Sequence, residues 1–388
     1  MASIVNRGQR IEIRAYAGRD RVTGSVRNLY KSIPASATFE EVAALASDLQ
    51  ATADALRGSG VPFTLKGLID FYLDSIETDH SPTYVDACRS NARCYLYPFI
   101  GSRRADTIRP FEFMQLYQRL MTDGGKDGNP VSPNTVRKLH SWLSPAFDSL
   151  VAIGAIQENP LASVKRPSPA PTGAKALSQD DLAKLYGYLS KALSKPETDP
   201  LDEAVFLDLH TGLRAGEIAG LRCGDIINGS SVSVSRSIAR SVKWGLIVKS
   251  TKGRRARVLS IPTDYAKRLS RAPFGWRGRV LDHTPIFPDA SGSHRDPREF
   301  SRHFRVICDQ VGIGKYAHFH TLRHTHATYL LRIGTPIRTV QDRLGHTSPS
   351  TTLGLYGHVL DGDDRQAAES FNDFFSTLSS AETVEVET

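Results

Sequence analysis

The chain has 388 residues, of which 40% are hydrophobic and 23% are charged, and its formal charge at pH 7 is +8. This length suffices for two or three domains with their own cores, and the composition excludes an intrinsically disordered chain. The charge is uneven, because residues 361–388 hold eight acidic side chains and one basic side chain, which leaves +15 on residues 1–360. Such an excess suits a polyanionic partner, although an ordinary basic protein can carry it as well.

The four cysteines lie far apart in the sequence and form no CxxC pair. This spacing argues against a zinc ribbon or a disulfide scaffold and favours a reducing compartment. The N-terminus has no apolar signal core, and no apolar run approaches the ~20 residues that cross a bilayer. We therefore expect a cytoplasmic protein without a membrane partner.

Residues 1–57 predict a small module of three strands and one helix. The strings IEIRAY and RNLYKS read as short strands on either side of the turn residues GRDRVTGS. Thr38 is placed to cap a helix over FEEVAALASDLQATADAL, whose apolar residues recur at helical spacing. The alternative that this module is a basic cap without a role in DNA binding stays open. The candidate phosphate contacts on its strands are Arg10, Arg14, Arg19, Arg21, Arg27 and Lys31.

Residues 62–164 predict an all-helical domain. Four segments repeat apolar residues every three or four positions, and Pro82, Pro110 and Pro133 stand at first-turn positions, where a missing N–H costs nothing. Basic residues on helices are usually only a solvated face. With that alternative open, the candidate phosphate contacts here are Arg89, Arg93, Arg103, Arg104, Arg137 and Lys138.

The string KRPSPAPTGAK at 165–175 predicts an extended, semi-rigid linker, because its three prolines cannot continue a helix. Lys165 and Arg166 are candidate phosphate contacts at its start. Ser178 is a good N-cap for the next helix, with Asp181 at the capping-box position.

Residues 176–361 predict a mixed α+β domain, and 362–388 a helix and an acidic tail. The string SVSVSRSI alternates as a strand, and GLIVKS and RARVLSIP predict a hairpin about residues 251–254. The segment RQAAESFNDFFSTL is amphipathic and is expected to fold back on its own domain or to dock on a neighbouring copy.

Six residues in five short motifs carry the chemistry that the sequence predicts. A tyrosine hydroxyl is a nucleophile, and cations stabilise the negative charge that builds on phosphoryl oxygens, so the set fits attack on a phosphodiester. The residues are Arg214 in TGLRAGEI, Lys252 in STKGRRARV, His320 and Arg323 in HTLRHTHA, His346 in RLGHTS and Tyr356 in GLYGHV.

These motifs, in this order and spacing, resemble those of the tyrosine recombinases, the integrases of phages and mobile elements. The resemblance implies that Tyr356 attacks a DNA phosphate to give a 3′-phosphotyrosyl link and a free 5′-hydroxyl. Arg214, Arg323 and His346 would then stabilise the transition state. His320 would bond the scissile phosphate and share proton transfer, and Lys252 would protonate the leaving oxygen. No cofactor and no metal are implied. Supporting or DNA-contacting roles would fall to Glu217, His324, Arg254 and Arg255.

The resemblance also implies a multidomain fold and its partners. An arm-type DNA-binding domain would span 1–57, a helical core-binding domain 62–164, the linker 165–175, an α+β catalytic domain of the tyrosine recombinase type 176–361, and the C-terminal helix and acidic tail 362–388. The expected partners are double-stranded DNA with core-type and arm-type attachment sites, and three further copies in a homotetramer on DNA. A host DNA-bending protein and an excisionase are further candidates. The expected location is the bacterial cytoplasm, in association with the nucleoid.

Several alternatives stay open from the sequence. A type IB topoisomerase uses the same nicking chemistry, a DNA-binding relative would have lost catalysis, and a metal-dependent nuclease would fail in EDTA. His320 and His324 have the spacing of two zinc ligands, but Thr321 stands where the HExxH motif has glutamate. Lys249 competes with Lys252 for the role of general acid.

Overall fold

The computed structural model describes residues 2–19, 26–59, 64–170, 175–195, 197–250, 256–269 and 271–346. The chain divides after residue 171 into two compact units. Arg21, Lys252, Arg254, Arg255 and Tyr356 lie outside the described residues, as does the C-terminal segment 362–388. Among the helices of the described part, none is both long and apolar enough to cross a bilayer.

The first unit begins with an antiparallel sheet, against which the helix α1 (Phe39–Ser59) packs. Its strands lie in the order β1 (Ser3–Asn6), β2 (Arg10–Arg19) and β3 (Val26–Pro34). Buried and exposed side chains alternate along β2, so that Ile13, Ala15 and Ala17 pack against the apolar face of the helix. Thr38 caps that helix as predicted, because its hydroxyl accepts from the Glu41 N–H at 3.3 Å and Glu41 accepts from the Thr38 N–H at 2.8 Å.

The rest of the first unit is helical, as predicted. Proline occupies the first turn of three helices at the positions expected from the sequence. Leu, Phe and Trp side chains fill the core, with Phe113 and Phe147 edge to face at 5.6 Å between ring centroids. The elements are α2 (Leu65–Ser75), α3 (Pro82–Tyr95), the short α4 (Tyr97–Ile100), α5 (Pro110–Thr122) and α6 (Pro133–Ala152).

The described part of the predicted linker, residues 165–170, has no helix or strand and is bound to α6. The Asn134 amide makes two hydrogen bonds with the backbone of Ala170, donating to its carbonyl at 3.1 Å and accepting from its N–H at 3.2 Å. The Arg137 guanidinium donates to the Pro167 carbonyl, and Arg166 donates to the Ser141 hydroxyl. Residues 165–170 therefore form a strap on α6.

The second unit packs helices around two small sheets. Phe300, Phe304 and Phe319 lie at the centre of its core. Ser178 caps the first helix by accepting from the Asp181 N–H at 3.1 Å, as predicted, while the Asp181 carboxylate accepts from the Tyr316 hydroxyl. The elements are α7 (Gln179–Leu193), α8 (Pro200–Thr211), α9 (Ala215–Gly220), β4 (Ile226–Ile227), β5 (Ser231–Val234), β6 (Arg236–Ser241), β7 (Gly245–Ser250), β8 (Arg257–Ser260), α10 (Thr263–Leu269), α11 (Pro297–Val311), α12 (Phe319–Arg332) and α13 (Ile337–Leu344).

The predicted strand pairing in this unit is wrong. The string SVSVSRSI divides between β5 and β6, which belong to different sheets, and β7 pairs with β6 whereas β8 pairs with β5. The reason is burial, because β5 and β8 place Val232 and Leu259 opposite each other in the core, while no residue of β7 is fully buried. The segment that contains Lys252 therefore connects two sheets and is not the turn of a hairpin between β7 and β8.

We predict that Asn134→Ala loosens the strap, because two hydrogen bonds of about 1 kcal/mol each are lost. Cleavage by trypsin after Lys165 should become roughly 30-fold faster, since proteolysis requires local opening and about 2 kcal/mol corresponds to that factor. The measurement is limited proteolysis with mass analysis of the fragment that ends at Lys165. Asn129→Ala, which removes only a local bond to the Lys126 carbonyl, is the control, and equal cleavage of the two variants contradicts the assignment.

Candidate active site

Arg214 stands at the N-cap of α9, where the sequence placed it. Its backbone N–H donates to Glu217 Oε2 at 3.0 Å, and its Nη1 donates to Glu217 Oε1 at 2.8 Å. The side chain of Arg214 is 34% exposed, so part of the guanidinium faces solvent at a helix N-terminus. This placement suits an anion, because both the guanidinium and the helix end are positive.

Glu217 is buried and holds two arginines. Its carboxylate also accepts from Nη1 and Nη2 of Arg257, at 3.2 and 2.7 Å, so four N–H groups converge on its two oxygens. Burial acts to raise the pKa of Glu217, but hydrogen bonds and charge from Arg257 and Arg214 outweigh it and lower the pKa from 4.5 to about 2. The carboxylate is therefore ionised at neutral pH, and its stabilising contribution is lost only as the pH falls from about 4.5 towards 2.

Arg323 on α12 is 1% exposed and is one of the largest buried side chains of the described part. Its Nη1 donates to the Gly212 carbonyl and its Nη2 to the Leu344 carbonyl, both at 2.6 Å. Gly212 lies two residues before Arg214, and Leu344 lies two residues before His346. Arg323 therefore ties the segments that carry two other predicted site residues.

The three predicted histidines lie beside these arginines. The rings of His320 and His324 meet edge to face at 4.7 Å between centroids. Burial, followed by the charges of neighbouring groups that include Arg323, lowers the pKa values of His320, His324 and His346 to about 4. Arg214 acts on both His320 and His346, so the structure brings five predicted residues together: Arg214, His320, Arg323, His324 and His346.

The histidines are thus neutral near pH 7 in the free protein, surrounded by guanidinium groups. An anion bound among them would favour their protonated forms, because an opposite charge stabilises the cation. Neutral imidazoles can both donate and accept hydrogen bonds, which suits groups that share a proton with a phosphate. In the described part of the chain, no three His, Cys, Asp or Glu side chains are arranged to hold a metal ion.

Two residues of this region were missed in the sequence. Arg257 is one of three arginines within residues 254–257. The sequence offers no means of choosing which of them contacts Glu217, which lies 40 residues away. Asp208 on α8 is fully buried, neither carboxyl oxygen has a hydrogen-bond partner, and burial raises its pKa well above the usual range against the opposing charge of Arg323. The only signal of its burial in the sequence is that Asp208 stands between apolar residues of α8, Leu207 and Leu209.

The candidate DNA contacts of the first unit have different environments. Arg27 is buried and donates to the Ala155 carbonyl, so it joins the sheet to the helical domain, and we do not retain it as a DNA contact. Arg89 and Arg104 form ion pairs with Asp74 and Asp106. Arg137 is bound to the strap. Arg103 is exposed and pairs with Glu112, and Arg166 is exposed and donates to the Ser141 hydroxyl. The other exposed candidates are Arg10, Arg14, Arg19, Arg93, Lys138 and Lys165.

Comparison with known proteins identifies the family. Residues 175–362 match the phage integrase family. The chain is 30% identical over 237 residues to the tyrosine recombinase XerC of Thermodesulfovibrio yellowstonii, which covers 59% of this chain and 72% of that protein. It belongs to the tyrosine recombinase family. It is also 27% identical over 291 residues to a tyrosine recombinase of Thermosipho africanus, covering 75% of this chain and 93% of the relative.

Solved structures show the same fold. The Tn1549 transposon integrase in complex with a circular intermediate DNA superposes with a TM-score of 0.63 at 18% identity, covering 79% of this chain and 99% of that one. A lambda integrase tetramer bound to a Holliday junction superposes with a TM-score of 0.54 at 20% identity, covering 90% and 96%. The predicted fold class is confirmed, and this tyrosine recombinase is an enzyme of site-specific DNA strand cleavage and rejoining.

We predict that Glu217→Gln lowers the free energy of unfolding by about 3 kcal/mol, because it leaves the largely buried Arg257 guanidinium and the partly exposed Arg214 guanidinium without their counterion. Urea-induced unfolding at pH 7 measures the change. The control is Asp342→Asn, which breaks an exposed i,i+4 pair with Arg338 and should cost about 1 kcal/mol or less. Similar losses in the two variants contradict the role given to Glu217.

Proposed function

We propose that this recombinase breaks and rejoins DNA through Tyr356 at the site built by Arg214, Arg323, His320 and His346. The observation that carries the proposal is the convergence of the Arg214 and Arg323 guanidinium groups on the neutral imidazoles of His320 and His346, with the Arg214 side chain held by the buried Glu217 carboxylate. Such an array is positive, fixed by its own hydrogen bonds and matched to the charge that develops on a phosphoryl group under attack.

In the proposed reaction the Tyr356 oxygen forms a bond to the scissile phosphorus while the bond from phosphorus to the 5′ oxygen breaks. His320 takes part in removing the tyrosine proton, and Lys252 gives a proton to the leaving 5′ oxygen. Arg214, Arg323 and His346 stabilise the pentacoordinate state. Lys252 is favoured over Lys249, because Lys249 lies within β7 and is paired there with Ser237.

Rejoining is the reverse attack by the 5′-hydroxyl of a second strand on the phosphotyrosine. One phosphodiester is made for each one broken, so the proposed cycle uses no nucleotide cofactor. It is chemically complete with the side chains named, because the guanidinium groups supply the positive charge and the lysine supplies the proton. The proposed supporting residues are Glu217, which holds Arg214, and His324, which contacts His320.

The proposed assembly follows the domain plan expected from the sequence. Residues 1–57 would bind arm-type sites, 62–164 would bind core-type sites, 165–175 would link the two units, 176–361 would form the catalytic domain, and 362–388 would contact the chain's own catalytic domain or a neighbouring copy. A homotetramer on paired sites is proposed, supported by the tetrameric form of the lambda integrase. A host DNA-bending protein and an excisionase are proposed accessory partners, and the bacterial cytoplasm, at the nucleoid, is the proposed location.

A suicide-substrate assay tests the proposed nucleophile. Nicked duplexes that carry candidate attachment DNA are incubated in EDTA, and a covalent adduct is sought on a denaturing gel. Wild type and Tyr186→Phe, which alters an exposed tyrosine outside the proposed site, should form the adduct. Tyr356→Phe should form none, a loss of at least about 10³-fold, because no other hydroxyl replaces the nucleophile.

An adduct with Tyr356→Phe would show that another residue is the nucleophile. Absence of an adduct with wild type, on DNA that the protein demonstrably binds, would favour a DNA-binding relative without catalysis. An adduct that is religated only to its original strand would favour the topoisomerase alternative. Dependence of the adduct on an added metal would favour the nuclease.

We predict that the double variant Arg10→Ala/Arg14→Ala weakens binding of duplex DNA by the first unit's sheet. Each phosphate contact contributes about 0.9 to the slope of log affinity against log salt concentration, so the slope should fall by about 2. Fluorescence anisotropy over a salt series gives the slope. The control Arg277→Ala/Arg279→Ala removes the same charge from an exposed loop of the second unit, and an equal fall there contradicts the assignment.

A further inference from the structure

Arg257 contacts two elements of the proposed site without being one of its expected residues. It is the first residue of β8, its side chain is only 14% exposed, and its guanidinium makes three hydrogen bonds. Two go to the Glu217 carboxylate, and the third runs from Nε to the Arg343 carbonyl at 3.0 Å. A guanidinium is planar and presents its donors in a fixed fork, so these contacts fix its position and orientation.

The first of these contacts leads to Arg214. Glu217 accepts from Arg257 on both oxygens and from the Arg214 side chain on one of them. The two guanidinium groups would repel each other across so short a distance without the carboxylate between them. Arg257 therefore determines where Glu217 lies, and Glu217 in turn determines where Arg214 lies.

The second contact leads to His346. Arg343 and Leu344 are the last two residues of α13, and their carbonyls accept from Arg257 and Arg323 respectively. The C-terminal end of a helix carries partial negative charge and unpaired carbonyls, so it is a favourable place for two cations. The turn that follows α13 and presents His346 is thus held by both arginines.

Packing reinforces this second contact. Gly345 has a φ of 64°, and a Cβ added to it would lie 2.9 Å from Nη1 of Arg257, so the turn rests directly on the guanidinium. His346 is held there by Gln341, whose carbonyl accepts from the His346 N–H and whose amide donates to the His346 carbonyl, both at 3.2 Å. A change in the position of Arg257 must therefore move the backbone that carries His346.

We infer that Arg257 is a positioning residue for strand cleavage, which sets Arg214 and His346 in register on the same phosphate while not itself contacting DNA. The inference rests on the proposed function, because it takes Arg214 and His346 to be the groups that act on the phosphate. Since Arg257 also follows Lys252 by five residues, it fixes the strand that leads away from the proposed general acid. Misplacement by about 1 Å of groups that must align costs on the order of 10²-fold in rate.

The chain offers a matched control. Arg268 bonds the buried carboxylate of Glu203 with Nε and Nη2, and its Nη2 donates to the Leu193 carbonyl at the end of α7 at 3.0 Å. It therefore repeats the structural contacts of Arg257, an arginine on a buried glutamate and a helix C-terminus, away from the proposed site. Arg257→Ala and Arg268→Ala should destabilise the protein similarly, and only the first should slow cleavage.

The experiment measures single-turnover formation of the covalent adduct on a nicked suicide duplex, at a temperature where circular dichroism shows each full-length variant folded. Arg257→Ala should react about 100-fold more slowly with an affinity for the duplex within about twofold of wild type, and Arg268→Ala should react at the wild-type rate. Arg257→Lys should restore little, because an ammonium cannot reproduce the three-bond fork. If Arg257→Ala does not fold, Arg257→Lys decides the same comparison.

A double-mutant cycle distinguishes positioning from a general loss of stability, because only positioning couples the effects of Arg257 and His346 on the cleavage rate. The variant Arg257→Ala/His346→Ala should react about as slowly as the slower single variant, because the two changes remove one coupled arrangement. The inference is overturned if the rate defects of Arg257→Ala and His346→Ala multiply fully in the double variant. It is also overturned if Arg257→Ala reacts within about threefold of the wild-type rate, or if Arg268→Ala loses as much rate as Arg257→Ala. A wild-type adduct with any of these outcomes refutes only the inference, whereas no wild-type adduct on bound DNA refutes the proposed function and the inference together.

Discussion

The buried carboxylate of Glu217 is the group on which the geometry of the second unit's site depends. A lone ionised carboxylate in the interior would be strongly unfavourable, but four N–H groups from Arg214 and Arg257 satisfy it here. These contacts join the start of α9 to the start of β8, two elements that are distant in sequence. The ion pairs of Glu217 therefore fix the position of α9 relative to β8 and also stabilise the fold.

The proposed site has to hold several positive groups close together while keeping the capacity to bind an anion. The protein meets this requirement with partial charges as well as a counterion, because carbonyls at the end of α13 and at Gly212 accept from Arg257 and Arg323. Carbonyl oxygens fix a guanidinium without neutralising it. Burial keeps His320 and His346 neutral, so the positive charge rests on arginines whose positions are determined by the fold.

The first unit shows that a basic residue on a strand need not be available to a polyanion. The Arg27 guanidinium donates to the Ala155 carbonyl, and the Gln157 amide donates to the Tyr30 carbonyl. These side-chain-to-backbone hydrogen bonds join the sheet to the helical domain. Arg10 and Arg14 lie on the outer, exposed face of the same sheet, and Arg14 also stacks over Tyr30. Net charge alone does not separate these two uses of arginine.

The sequence by itself determined what depends on neighbours along the chain. The proline-initiated helices, the Thr38 and Ser178 caps, the apolar periodicities and the short motifs around Arg214, Arg323 and His346 are local, and all were predicted. The partner of β7, the burial of Arg27 and the contacts of Arg257 with Glu217 and the Arg343 carbonyl depend on residues many positions away. Only the tertiary structure decided these, because core packing selects which strand pairs and which arginine is buried, and alternation or charge in a short segment is equally compatible with several choices.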